Sequence, residues 1–151
     1  MRPSVMTTLM DVAKSFALRS TCGRRKVGAV IVDANNFILS AGYNGVPSGY
    51  PHCTEVPCPG FGSASGTNLD VCEALHAEQN AIARLREPFE AHTMYCTTAP
   101  CISCTKLISA TTIRVIISAE PYALSGKNYW LSLDGLATHT REWVDYDENF
   151  H

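Results

Sequence analysis

HAEQNAIARLREPFEAHTMYCTTAPCISC, residues 76–104, decides how this chain is read. It opens on His76-Ala77-Glu78 and closes on Pro100-Cys101-Ile102-Ser103-Cys104. One imidazole and two thiols are the side chains that bind Zn²⁺, and three protein ligands leave the fourth tetrahedral position for water, as catalytic rather than structural zinc sites do. Glu78 is an acid that this ligand set does not need. Cys101 and Cys104 are spaced to put both sulfurs on one face of an opening helical turn. The helix dipole there is expected to lower both thiol pKa values. His76 closes the tripod. On a helix, His76 and Glu78 would diverge by roughly 200°, so reaching one cleft requires them to straddle a first turn. A closed Cys/His site or zinc ribbon fits less well, because ribbons use paired C-x-x-C units and have no need of Glu78.

Working outward, apolar residues alternate with turn signals in a regular order. Met6–Leu18 has helical spacing, with apolar residues at 6, 9, 10, 13, 16 and 17. Val27–Val32 is an apolar run that predicts a buried strand. Asp33-Ala34-Asn35-Asn36 predicts a hairpin turn into a second strand, Phe37–Ala41. Gly42–Asp70 is rich in Gly, Pro and Ser and reads as a long functional or metal-tied loop. Helices are predicted over Ala74–Arg86, Cys101–Ala110 and Asn128–Leu136, with Pro100 placed where a missing N–H costs little. Strands are predicted over Thr93–Thr97, Ile113–Ser118 and Arg141–Tyr146. The order α-β-β-α-β-α-β-α-β predicts one α/β domain over residues 1–151, a three-layer α/β/α fold with a mixed five-stranded sheet, the loop 43–70 being an insertion. The ligands then fall at the starts of two helices around one cleft. Cys96, within a strand, reads as a small core residue.

Composition narrows the function. The net charge of −2 provides no basic field, so nucleic acid is not an expected partner. There is no run of about 18 apolar residues and hence no membrane span. The N-terminal stretch is charged throughout, without a signal-peptide h-region, so a cytoplasmic protein is expected. Seven cysteines in such a chain suggest metal binding more than a disulfide framework.

H-x-E followed by P-C-x-x-C is the signature of the zinc nucleobase deaminases, in which metal-activated hydroxide attacks the amino-bearing ring carbon and the Glu moves protons. Around it, KVGAVIVD (26–33), SAGYNGVPSG (40–49), HAEQNAI (76–82), MYCTTAPCISCTKLI (94–108) and EPY (120–122) make the chain resemble the deoxycytidylate deaminases of the cytidine deaminase superfamily. The resemblance implies the reaction dCMP + H₂O → dUMP + NH₃, which supplies dUMP for thymidylate synthesis. Glu78 would be the proton shuttle, with His76, Cys101 and Cys104 as the catalytic Zn²⁺ ligands. It also implies a homo-oligomer, commonly hexameric, activated by dCTP and inhibited by dTTP, with Mg²⁺ accompanying the effector. Asn44 of GYNG would lie beside substrate or at the dCTP site. Ala77 and Tyr122 would flank the substrate.

The monophosphate needs charge-assisted donors. Arg25 and Lys26, in the run Arg24-Arg25-Lys26, are the nearest candidates, with a solvated charge run as the alternative. A second, structural zinc is suggested by relatives that hold one with cysteines placed like Cys22 and Cys53. Cys22, Cys53, Cys58 and Cys72 are the candidate ligands here, with His52 close by, and free buried thiols are the alternative. Competing functions are deamination of a 5-substituted dCMP or of another nucleobase, or a non-catalytic nucleotide-binding subunit on the same fold.

Overall fold

The computed structural model describes residues 1–21, 25–46, 49–50, 74–136 and 140–148. The elements follow the expected order: α1 (Val5–Ala17), β1 (Gly28–Val32), β2 (Ile38–Tyr43), α2 (Ala77–Ala83), β3 (Thr93–Thr98), α3 (Ile102–Ser109), β4 (Val115–Glu120), α4 (Ser125–Ser132) and β5 (Glu142–Asp145). A short 3₁₀ turn, Pro88–Glu90, lies between α2 and β3. The sheet runs β2-β1-β3-β4-β5. The pairs β2–β1 and β1–β3 are antiparallel, whereas β3–β4 and β4–β5 are parallel. This is the mixed five-stranded α/β sheet that the sequence predicts.

β1 shows why its five residues carry no polar side chain. Every position is buried, since both faces of the strand are covered. Ala29 and Ile31 join Ala77, Ala81, Met94, Cys96, Ile108, Ile113, Ile116 and Trp130 in one core layer, built with residues of α2, α3 and α4. Val30 and Val32 point the other way, to Leu9, Met10, Ala13, Tyr95, Ile117 and Tyr146. The side-chain period of a strand divides the two layers. Among the described residues α1 is the helix that packs on the second face, with Ser4 as N-cap accepting from the Thr7 N–H at 3.0 Å.

The hairpin forms at the expected residues. The Asp33 carboxylate accepts from the Asn35 and Phe37 N–H groups at 2.8 and 2.9 Å, and Asn36 adopts φ 66°. Asn is among the few non-glycine residues that enter this region readily.

Several boundaries differ from the sequence reading: β2 runs to Tyr43, into the stretch read as loop, α2 ends at Ala83 and not Arg86, β4 runs to Glu120, and three further differences have a visible cause. The second helix begins at Ala77, not Ala74, because Leu75 exchanges two backbone hydrogen bonds with Gly45, at 2.9 and 3.1 Å, and is held extended. The last helix spans Ser125–Ser132, earlier than Asn128–Leu136. Its first turn contains Gly126, which weakens the sequence signal, and Gly135 at φ 79° breaks the stretch that had been included. Ile113 is buried but precedes the ladder, which starts at the pair Thr93–Val115. Among the described residues, no helix is long and apolar enough to cross a membrane.

Candidate metal centre

Two helix starts meet at the ends of β1 and β3. His76 is the N-cap of α2, with extended backbone (φ −71°, ψ 156°), so the helical rotation does not fix its side-chain direction. Its N–H donates to Gln79 Oε1 at 2.8 Å, a local tie three residues along. Glu78, inside the first turn, is buried. The two side chains therefore straddle the helix start. Cys101 is likewise an N-cap, of α3, and its thiol makes no capping hydrogen bond. Cys104 lies three residues on, within the first turn, and is fully buried.

His76 Nδ1 lies 3.1 Å from Cys104 Sγ and 3.6 Å from Cys101 Sγ, and the three donor atoms fall within 4.8 Å of one another. Tetrahedral zinc, with its usual bonds to nitrogen and sulfur, separates those atoms by about 3.5 Å. The two observed distances bracket that value, so donor chemistry and spacing both fit the ion. Among the described residues, this is the group of His, Cys and acidic side chains able to hold a metal.

The electrostatics differ in part from expectation. Cys101 is lowered to about 4, first by its hydrogen bond with Cys104 and then by His76, against the cost of burial. Cys104 is raised, by that same bond and by burial. The two coupled thiols thus favour a single thiolate between them, instead of two thiols lowered alike by the helix dipole. A coordinated cation deprotonates both. Burial raises the Glu78 carboxyl above its ordinary value, opposed by its backbone N–H and by His76. Glu78 also lies against the Cys104 thiol. Cys96 is fully buried in the core, as read from the sequence, and burial pushes its thiol up.

The other expected residues divide. Asn44 is buried, and both ends of its amide are engaged: Oδ1 accepts from the Val27 N–H at 2.8 Å, and Nδ2 donates to the Arg25 carbonyl. It clamps the lead-in to β1. Ala77 packs its methyl into the core, which leaves only its main chain to face a ligand. Arg25 sits over the Tyr122 ring, 5.4 Å from the centroid, and 3.5 Å from Glu120. Glu120 ends β4, and its carbonyl accepts from the Ala99 N–H at 2.8 Å, two residues before Cys101. The backbone of this group is thereby joined to the segment that leads into Cys101. Lys26 is exposed. Cys22, Cys53, Cys58, Cys72, His52 and Arg24 lie outside the described residues.

Sequence reasoning missed Gln79, Glu120, Thr105 and Gly126 as parts of the surroundings. Only Gln79 carries a local signal, its place three residues after the cap.

With the geometry in view, comparisons with known proteins are specific. The family model described as "Cytidine and deoxycytidylate deaminase zinc-binding region" matches residues 3–120. The chain belongs to this family. A deoxycytidylate deaminase of Schizosaccharomyces pombe is 39% identical over 147 residues, covering 95% of this chain and 45% of the relative. The Mycobacterium phage D29 deoxycytidylate deaminase is 35% identical over 122 residues, covering 77% of this chain and 94% of the phage protein. The crystal structure of the cyanophage S-TIM5 dCMP deaminase in complex with dCMP and dUMP superposes with a TM-score of 0.72. The two are 28% identical, with 97% of this chain and 99% of the phage chain covered. The chain spans under half the length of the two yeast relatives it matches. Membership of a zinc-binding family and the His76, Cys101 and Cys104 donor set agree on Zn²⁺ as the cofactor.

Proposed function

We propose that this chain deaminates dCMP hydrolytically to dUMP and ammonia, with His76, Cys101 and Cys104 holding the zinc and Glu78 carrying the protons. The observation that carries the reading is the buried Glu78 carboxyl set against a three-donor metal cluster. A binding subunit has no use for that acid. Support for the substrate comes from relatives named deoxycytidylate deaminase and from the dCMP- and dUMP-bound phage enzyme.

When bound, zinc supplies a Lewis acid that makes water nucleophilic near neutral pH. The residues of the chain do the rest. Glu78 accepts a proton from the attacking water and passes one to ring N3 as C4 is attacked. It then delivers the second water proton to the departing amino group, which leaves as ammonia. A carboxyl raised by burial is suited to both accepting and returning a proton. Arg25 provides the charge-assisted donors for the monophosphate, oriented by the Tyr122 ring and by Glu120. Lys26 adds a point charge. Asn44 contributes by holding the Arg25–Val27 backbone in place.

The same reading extends to a homo-oligomer, a hexamer by family resemblance, activated by dCTP and inhibited by dTTP, with Mg²⁺ on the effector. It includes a structural zinc drawn from Cys22, Cys53, Cys58 and Cys72. Sigmoidal velocity against dCMP, made hyperbolic by dCTP, is the expected signature of that regulation. A hyperbolic curve indifferent to dCTP removes the regulation and leaves the chemistry.

The deciding experiment is ammonia release from dCMP, CMP, deoxycytidine, dCTP and 5-methyl-dCMP by the zinc-loaded protein. Turnover confined to deoxycytidine monophosphates is expected. Equal turnover of deoxycytidine removes the phosphate site, and turnover of none removes dCMP as substrate.

A further inference from the structure

The first turn of α4 packs against the backbone that carries Cys101. Gly126 is buried there. A Cβ at this position would lie 2.5 Å from the Pro100 carbonyl oxygen, 2.8 Å from Thr105 Oγ1 and 3.3 Å from the Cys101 carbonyl carbon. Carbon atoms do not approach oxygen so closely, so one of these groups would have to move. The Pro100 oxygen belongs to the backbone and has no rotamer to yield. Thr105 has one, but its hydroxyl is in use: Oγ1 donates to the Cys101 carbonyl at 2.9 Å. Thr105 itself is fully buried. Relieving the contact through Thr105 would break one of two hydrogen bonds to the Cys101 carbonyl, the other coming from the Thr105 N–H at 2.9 Å.

Resting on the ligand assignment proposed above, we infer that Gly126 and Thr105 are positioning residues for the Cys101 sulfur. They act through the Pro100–Cys101 backbone and not through the metal. Where His76 is tied locally at its N–H by Gln79, Cys101 is tied at its carbonyl, by the Thr105 hydroxyl and N–H at 2.9 Å each, so a shift of Thr105 or of the Pro100 oxygen reaches the ligand-bearing peptide directly. The substitution Gly126→Ala favours the helix by propensity while pushing the ligand-bearing peptide. Stability alone therefore does not report on the position, whereas metal geometry does.

The test uses the full chain exchanged into Co²⁺, whose ligand-field absorption reports coordination geometry, and zinc loss to a competing chelator. The bands abolished in Cys101→Ala define the centre and set it apart from any other metal in the chain. Gly126→Ala and Thr105→Val are expected to shift those bands and to weaken metal affinity about ten- to hundredfold, the usual effect of losing an outer support. Thr105→Ser keeps the hydroxyl and should retain the native spectrum. Gly28→Ala is the control for a purely structural clash, because a Cβ there meets the Ala13 carbonyl oxygen at 2.0 Å, under α1. It should lower Tm and leave the spectrum of the remaining folded protein unchanged. Native spectra and chelator resistance in both Gly126→Ala and Thr105→Val would overturn the inference with the ligand assignment intact. Undiminished metal binding in Cys101→Ala would overturn the assignment itself. Should Gly126→Ala fail to fold, the contrast between Thr105→Val and Thr105→Ser decides.

Discussion

The starts of α2 and α3 face each other across one site and are held in opposite ways. At α2, His76 caps the helix and is tied through its own N–H to Gln79, three residues away. At α3, Cys101 caps the helix and is tied through its carbonyl to the Thr105 hydroxyl, four residues along, while its peptide is abutted by Gly126 from another helix. The α2 start contributes one ligand and the buried acid, and the α3 start contributes two thiols. The α2 start is braced within its own first turn, whereas the peptide that carries Cys101 is braced both by Thr105 on its own helix and by a residue far along the chain.

The sharpest way to break the comparison is to remove a ligand from each side. His76→Ala and Cys104→Ala should both lose the catalytic zinc and reduce ammonia release to background, as checked by metal analysis and assay. If either keeps its zinc, the two starts do not form one centre. Next in size is Glu78→Gln, expected to lower kcat about 10²–10⁴-fold with zinc content and dCMP binding retained. That outcome separates the proton carrier from the ligands beside it.

Arg25→Ala tests whether phosphate recognition lies outside both helix starts. KM for dCMP should rise about tenfold or more, the value of a lost charge-assisted hydrogen bond, with little change in kcat. An unchanged KM would move the phosphate site elsewhere. The smallest effect is expected from Gln79→Ala, which removes only the local tie at His76. A loss of about 1 kcal/mol of stability and a Tm lower by about 2–4 °C should come with a native Co²⁺ spectrum. A shifted spectrum would mean that α2 relies on its cap for metal geometry, as α3 does on Thr105 and Gly126.

Much of the molecule was legible from residue order alone. The apolar run 27–32 announced a buried strand, found over Gly28–Val32, and Asp33–Asn36 announced the turn after it, because strand burial and turn formation depend on adjacent residues. The donor set was legible for the same reason: His76, Glu78, Cys101 and Cys104 lie at short spacings whose local geometry is fixed by a helix start. Where the reading failed, a distant partner had intervened. Leu75 is kept out of α2 by Gly45, thirty residues earlier in the chain, and Gly126 hid the beginning of α4 while serving a contact with Pro100 and Cys101.

Asn44 adds something its motif does not spell out: beside the expected place near a nucleotide, the fold engages both ends of its amide with the backbone before β1. Sequence by itself determined the order of elements and pointed to a His-x-Glu and a Cys-x-x-Cys pair with side chains able to hold zinc, each pair written in neighbours a few residues apart. Tertiary structure alone decided which peptide steadies Cys101, where Arg25 meets Tyr122 and Glu120, and how deeply Glu78 is buried. Those depend on surfaces brought together from far along the chain, and no local spacing encodes them.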